Sequence, residues 1–192
     1  NSGEALSVKV YADFINNMGF RKVSVFDAHS DVVAAVVNNC RVVKNWEFVR
    51  DHIREHSSNY SLVSPDAGAN KKVFDLAKYF GGPRVVRADK IRDVKDGSII
   101  GTEVFADDLT GQTAYVVDDL ISGGRTFIEL AKVLKKKGAE KTYLIVSHHE
   151  GVANESLLKE SGLDGVITTN SLSGACLVSN EFTKVLEITD FI

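Results

Sequence analysis

Residues 114–127 constrain this chain more than any other stretch: Ala114-Tyr115-Val116-Val117, then Asp118-Asp119-Leu120-Ile121, then Ser122-Gly123-Gly124-Arg125-Thr126-Phe127. Four residues that favour a strand run into two adjacent carboxylates and a loop with two glycines, and the spacing of Phe127, Leu130, Ala131 and Leu134 predicts a helix beyond it. A strand, a short polar loop and a helix form the unit of an open α/β sheet. Ligands bind such sheets at the carboxyl end of the strands, where loop N–H groups and the positive end of a helix dipole converge. Glycines let the backbone approach an anion closely, and Thr126 adds a hydroxyl donor.

Asp118 and Asp119 are the unusual part of such an anion site. On a strand they point to opposite faces, so one can face a bound sugar and the other a solvated metal or a polar group of the core. Carboxylates next to a phosphate cradle repel the phosphate unless something divalent or hydroxyl-bearing lies between them. A ribose phosphate with Mg2+ meets both conditions, because magnesium is bound through one or two carboxylates together with phosphate oxygens and water. The plainer alternative is an acidic strand end that caps the helix.

Strands and helices alternate through the rest of the 192 residues. The pattern predicts a helix over 6–18, a strand over 22–27, a buried helix or strand over 32–37, and a helix over 45–56. A strand at 60–63 leads into Ser64-Pro65-Asp66-Ala67-Gly68 and a helix through Val73, Leu76, Ala77 and Phe80, with short strands at 84–87 and 101–105. The charged segment 88–98 between those strands is either a hairpin or surface loop, or a mobile lid that brings cations to a phosphate. After the central helix come a strand over 142–146 ending at Ser147-His148-His149-Glu150-Gly151, a helix over 152–161, and strands over 165–168 and 182–188. Repeated βα units with short links predict an α/β fold with a parallel sheet flanked by helices. Asp27/His29, Ser64/Asp66, Asp118/Asp119, His148/His149 and Thr169/Asn170 then fall at strand ends along one edge, which points to an active site.

Composition narrows the class. A net charge of −3 argues against a nucleic-acid surface, and Lys135-Lys136-Lys137 at the end of the central helix suits a solvated face that complements the helix dipole. Cys40 and Cys176 have neither disulfide-framework nor zinc spacing, so a reducing, cytoplasmic setting is expected. No apolar run approaches the roughly 20 residues of a membrane span, and no signal peptide is expected.

The central Asp-Asp loop, the Ser64-Pro65-Asp66-Ala67-Gly68 turn, Asp27-Ala28-His29-Ser30, Lys90-Ile91-Arg92 and Ser147-His148-His149-Glu150-Gly151 together resemble the ribose-phosphate pyrophosphokinases, also called phosphoribosyl pyrophosphate synthetases. The Ser64–Gly68 turn is the most specific of the five. The resemblance implies a phosphoribosyltransferase-like fold. It also implies Mg2+-dependent transfer of pyrophosphate from ATP to the 1-hydroxyl of ribose 5-phosphate, with AMP leaving. Lys90 and Arg92 match the family's catalytic cations. His29 matches its histidine at the ATP phosphates and metal, and Asp66 its Mg2+ carboxylate. Asp118 and Asp119 would hold the ribose hydroxyls, with Ser122, Gly123, Gly124, Arg125 and Thr126 forming the sugar-phosphate loop. A homo-oligomer is implied too, with no nucleic-acid or membrane partner.

Two departures matter. The family loop usually reads Asp-Asp-x-x-Asp-Thr-x-Gly-Thr, whereas Ser122, Gly123 and Arg125 stand here. Those changes remove negative charge, open space and add positive charge, so the acceptor could also be a 5-substituted ribose such as ADP-ribose. Family members also run to roughly 300 residues as two similar lobes. Residues 1–57, together with 182–192, are therefore expected to be the remainder of a first lobe, and 58–181 a second lobe that carries the sugar-phosphate loop. The chain is expected to be truncated at its N-terminus relative to the family, with a partner segment or subunit supplying the missing sheet and adenine pocket. A phosphoribosyltransferase, for which no nucleobase pocket can be read, and a non-catalytic regulatory homologue are the alternatives.

Overall fold

The computed structural model of the chain describes residues 6–54, 59–95, 99–172 and 177–192. Its elements in chain order are α1 (Ser7–Asn17), β1 (Val23–Phe26), α2 (Val32–Val36), β2 (Cys40–Val43), α3 (Trp46–Arg54), β3 (Tyr60–Ser64), α4 (Asn70–Tyr79) and β4 (Arg84–Arg92). Then come β5 (Ile99–Val104), β6 (Thr113–Ile121), α5 (Arg125–Lys136), β7 (Lys141–His149), α6 (Glu155–Glu160), β8 (Gly165–Thr169) and β9 (Thr183–Leu186).

Alternation along β6 explains why helices lie on both faces of the main sheet. Ala114 and Val116 point to one side, where they join Phe127, Leu130 and Leu134 of α5 and Leu158 of α6. Tyr115 and Val117 point to the other, against Phe48 and Val49 of α3 and Val73, Leu76 and Ala77 of α4. The seven strands run in the order β5-β4-β3-β6-β7-β8-β9, and every pairing among them is parallel except the antiparallel β4–β5. This is the expected α/β fold with a mostly parallel sheet flanked by helices.

The first 54 residues contribute a second, two-stranded parallel sheet, β1–β2. Its short strand β2 follows Asn39, which has a positive φ of 54°, and only three residues separate α2 from β2 in the run Val32–Val43. So short a strand carries no period of its own, and the sequence pattern missed it. The segment 32–37, left open between helix and strand, is the helix α2.

Two stretches differ from the sequence pattern in instructive ways. The charged segment 88–98 is strand for half its length: β4 runs on to Arg92 and pairs with β5 through Asp89↔Glu103 and Lys90↔Thr102. Residues 96–98 lie outside the described residues, as do 55–58, which include the expected end of α3. The C-terminal segment, grouped with the first lobe from sequence, hydrogen-bonds through β9 to β8 in the large sheet, while Phe191 stacks on Phe26 of the small sheet at 6.4 Å. Lys135 and Lys137 are not simply solvated. Lys135 Nζ donates to Asp164 at 2.8 Å and Lys137 Nζ to the Ala106 carbonyl at 2.6 Å.

Candidate active site

Where β1, β3, β4 and β6 end beside the N-terminal turns of α3 and α4, the chain leaves a cleft of about 1010 Å³. Asp27, His29, Asp66, Asp89, Lys90, Asp118 and Asp119 line it, together with Lys44, Asn45, Trp46, Lys71, Lys72 and Asp75. Four of the sequence-derived groups thus meet: the turn after β1, the turn after β3, Lys90 and the acidic pair.

The acidic pair lies within β6, three residues before its end, because β7 continues alongside it with Asp118 opposite Val146 and Leu120 opposite His148. Burial pushes the Asp118 carboxyl up, to about 8, and its hydrogen bond to Asp119 adds to the effect. Burial acts on Asp119 in the same direction, but its hydrogen bonds and charges from Asp118, Lys72 and His29 outweigh it and hold Asp119 below the usual carboxylate range. The pair is therefore split into a proton-holding member and an ionised member, as expected of two close carboxylates. The ionised Asp119 meets His29 Nδ1 at 2.8 Å through Oδ2, and Lys72 Nζ lies 3.8 Å from Oδ1.

Lys72 also reaches Asp27 Oδ1 at 2.9 Å. Asp27 sits at the end of β1 with a positive φ of 46°, a conformation that Asp tolerates better than most residues. Its other oxygen accepts from Asn45 Nδ2 at 3.0 Å and Ser147 Oγ at 2.5 Å. This buried carboxylate is fully committed to protein donors, and it fixes the turn that carries His29. His29 itself projects into the cleft with its side chain 87% exposed.

Also lining the cleft, Lys90 Nζ donates to Asp66 Oδ2 at 2.8 Å. Asp66 Oδ1 accepts from the backbone N–H of Ala69 at 3.1 Å, which shapes the turn into α4. Burial works against ionisation of Asp66, but the Lys90 ammonium and the N–H groups of Ala69 and Gly68 hold its carboxyl below the usual range. Beside Lys90, Asp89 Oδ1 is buried with no hydrogen-bond partner among the described residues. Arg92 ends β4 two residues on, and its side chain lies outside what is described.

Other expected residues stand apart from the cleft. Ser122, Gly123, Gly124, Arg125 and Thr126 join β6 to α5 and are not among its lining residues. Gly124 caps α5 with φ of 79°, and a Cβ there would approach Leu158 Cδ2 at 3.3 Å, so packing on α6 as well as conformation requires glycine. Ser122, Gly123 and Arg125 are exposed. His148 and His149 serve the architecture. His148 Nε2 donates to the Phe26 carbonyl at 3.1 Å and Nδ1 accepts from Ser171 Oγ at 2.7 Å, while buried His149 accepts from Gly151 N–H at 2.8 Å. Thr169 Oγ1 donates to the Ser147 carbonyl at 2.7 Å.

Sequence reasoning missed Lys72, Asn45 and Trp46. Lys72 follows the Ser64–Gly68 turn by one helical turn, and that spacing was its only signal.

Comparison with known proteins bears on the fold that carries this cleft. Residues 100–191 match the phosphoribosyl synthetase-associated domain. A ribose-phosphate pyrophosphokinase of Vibrio parahaemolyticus is 29% identical over 174 residues, which cover 88% of this chain and 54% of that protein. One from Shewanella oneidensis is 27% identical over 190 residues, covering 96% of this chain and 58% of that protein. The crystal structure of phosphoribosylpyrophosphate synthetase from Mycobacterium smegmatis superposes with a TM-score of 0.81 at 23% identity, over 98% of this chain and 62% of that one. The fold is that of the synthetase, and the chain spans about half the length of the relatives it matches. Among the described residues no helix is long and apolar enough to cross a membrane.

Proposed function

We propose that this chain, a relative of the ribose-phosphate pyrophosphokinases, carries the site for Mg2+-dependent transfer of pyrophosphate from ATP to the 1-hydroxyl of ribose 5-phosphate. The observation that carries the reading is the convergence of His29, Asp66, Lys90 and the Asp118–Asp119 pair on one cleft from four separate segments. In the reaction a bond forms between the sugar's 1-oxygen and the β-phosphorus, and the bond from that phosphorus to the α-phosphate oxygen breaks. AMP leaves and the hydroxyl proton passes to solvent. Such a transfer demands little covalent chemistry of the protein; positioning and neutralisation of spread-out negative charge dominate.

The residues suit those tasks. Lys90, with Arg92 beyond it on the same strand, supplies positive charge to the transferring phosphates. Asp119, ionised and braced by Lys72 and His29, accepts hydrogen bonds from the ribose hydroxyls, and protonated Asp118 avoids a second uncompensated charge beside them. Among the described residues no group of three His, Cys, Asp or Glu side chains is placed to hold a metal ion, so the support for Mg2+, which takes carboxylate oxygens in ones and twos, is that Asp66 and Asp89 line the cleft and one Asp89 oxygen is buried without a hydrogen-bond partner among the described residues. Asp66 and His29 would hold the ion, with Asp89 as a further carboxylate of the same cleft. When bound, the ion neutralises charge on the phosphates.

A 5-substituted acceptor such as ADP-ribose is the second reading, raised by Ser122, Gly123 and Arg125, which make the sugar-phosphate loop less acidic and add a positive charge. Homo-oligomeric assembly and a cytoplasmic setting belong to the same proposal. Its test is AMP release from ATP and Mg2+ with ribose 5-phosphate and ADP-ribose side by side. Release dependent on ribose 5-phosphate supports the first reading, a preference for ADP-ribose the second, and no AMP with either sugar overturns both.

A further inference from the structure

Lys44, Lys71, Lys72 and Lys90 all line the cleft, but they do not offer it the same thing. Lys44 and Lys71 are exposed, and Lys90 pairs with Asp66. Lys72 keeps 22% of its side chain exposed while its ammonium is buried, so what it shows to the cleft is its aliphatic stem. Most lysines do the reverse, covering the stem and leaving the charge in water.

The position is also a poor one for a lysine on local grounds. Lys72 stands in the first turn of α4, where a cation opposes the helix dipole, and burying its ammonium carries a desolvation cost. The fold supplies the compensation. Asp27 Oδ1 lies 2.9 Å from the ammonium and Asp119 Oδ1 3.8 Å from it, and neither contact has the geometry of a hydrogen bond, so charge is what Lys72 contributes to both. The two carboxylates belong to different sheets: Asp27 follows β1, and Asp119 lies within β6. Asp27 is fixed by Asn45 and Ser147, which anchors the ammonium on that side, and His29 Nδ1 meets the other oxygen of Asp119 at 2.8 Å. Without the ammonium the two carboxylates would repel each other across the space it fills, and Asp119 would lose the orientation that His29 and Lys72 together give it.

We infer that Lys72 is a positioning residue for the sugar acceptor: its buried charge ties Asp119 to Asp27 of the small sheet, so that sugar affinity depends on a cation the sugar does not touch. The inference rests on the proposed reading of Asp119 as the carboxylate that accepts from the ribose hydroxyls, and it adds what sets that carboxylate in place. Because the ammonium is hidden from the cleft, its loss withdraws no direct contact from the phosphates of the nucleotide.

The test compares steady-state kinetics with ATP, Mg2+ and ribose 5-phosphate in the wild type, Lys72→Arg, Lys72→Met and the double variant Asp27→Asn/Lys72→Met, together with their urea unfolding midpoints. Lys72→Met is expected to raise KM for ribose 5-phosphate about tenfold, to change KM for ATP little, and to lower the midpoint because Asp27 loses its counter-charge. Lys72→Arg keeps the charge and should recover most of the sugar affinity. Asp27→Asn removes the stranded charge with a side chain that tolerates the same positive φ, so the double variant regains the midpoint and still shows the raised sugar KM. An unchanged sugar KM in Lys72→Met, an equal rise for both substrates, a fall in kcat alone, or a sugar KM restored with the midpoint in the double variant assigns Lys72 to the fold and overturns the inference. Each of those outcomes is read against a wild type that turns over, so the proposed activity stands. A wild type that releases no AMP with ribose 5-phosphate overturns the activity on that sugar and the inference together.

Discussion

Asp27 illustrates how one buried carboxylate can organise a site without touching substrate. It is 2% exposed, forms an ion pair with Lys72 and accepts from Asn45 and Ser147, which come from α4, the loop after β2, and β7. Asp27→Ala strands a largely buried ammonium and two polar groups, and is expected to lower stability by about 3 kcal/mol in urea unfolding. A loss under about 1 kcal/mol would show that water replaces the carboxylate freely. Asp118 gives a pH signature. Its folded-state pKa of about 8 lies above its unfolded value, so the fold binds the extra proton and stability falls as pH rises from about 4 to about 8. Asp118→Asn should flatten that slope and stabilise the ligand-free protein at pH 7 by on the order of 1–3 kcal/mol; an unchanged slope would assign it to other groups. The acidic pair was legible in sequence because two adjacent carboxylates interrupt an apolar run. Lys72 was not, because a lysine on an amphipathic helix looks like any solvated lysine until the fold places Asp27 and Asp119 beside it.

At the level of elements, the strand–loop–helix unit of β6 and α5 is where pattern and structure agree most closely, since the period of two along β6 and the helical spacing on α5 each bury one face. Leu130 is fully buried on that helix, and Leu130→Ala is expected to cost 2–5 kcal/mol, in the range of about 3 kcal/mol for a cavity between helix and sheet. Gly124→Ala combines a positive φ with a close approach to Leu158, and about 1–2 kcal/mol of destabilisation is expected in the same assay. β2 and the outer half of β4 escaped the pattern for different reasons. Four residues are too few to show alternation, and in β4 charged residues occupy strand positions because their side chains serve the cleft or face solvent. Lys90 is consequently held on a paired strand, with Thr102 opposite it, rather than on a free loop.

In the whole molecule, the candidate site is a joint between two sheets. The small β1–β2 sheet supplies His29 and Asp27, the large sheet supplies Asp66, Lys90 and the acidic pair, and the joint is fastened by the Asp27–Asn45–Ser147 network, the bond from His148 to the Phe26 carbonyl, and Phe191 packed against Phe26 and Phe48. None of this joining was visible in sequence, where the partners are separated by up to 165 positions, as in Phe26 and Phe191. The most direct test of the cleft as a pyrophosphoryl-transfer site is the turnover of Lys90→Ala against the wild type with ATP, Mg2+ and ribose 5-phosphate, quantifying phosphoribosyl pyrophosphate and AMP together. The account expects equal amounts of both products from the wild type and a kcat lowered by about 100-fold or more in the variant, with the unfolding midpoint little changed. Wild-type turnover in Lys90→Ala would contradict it.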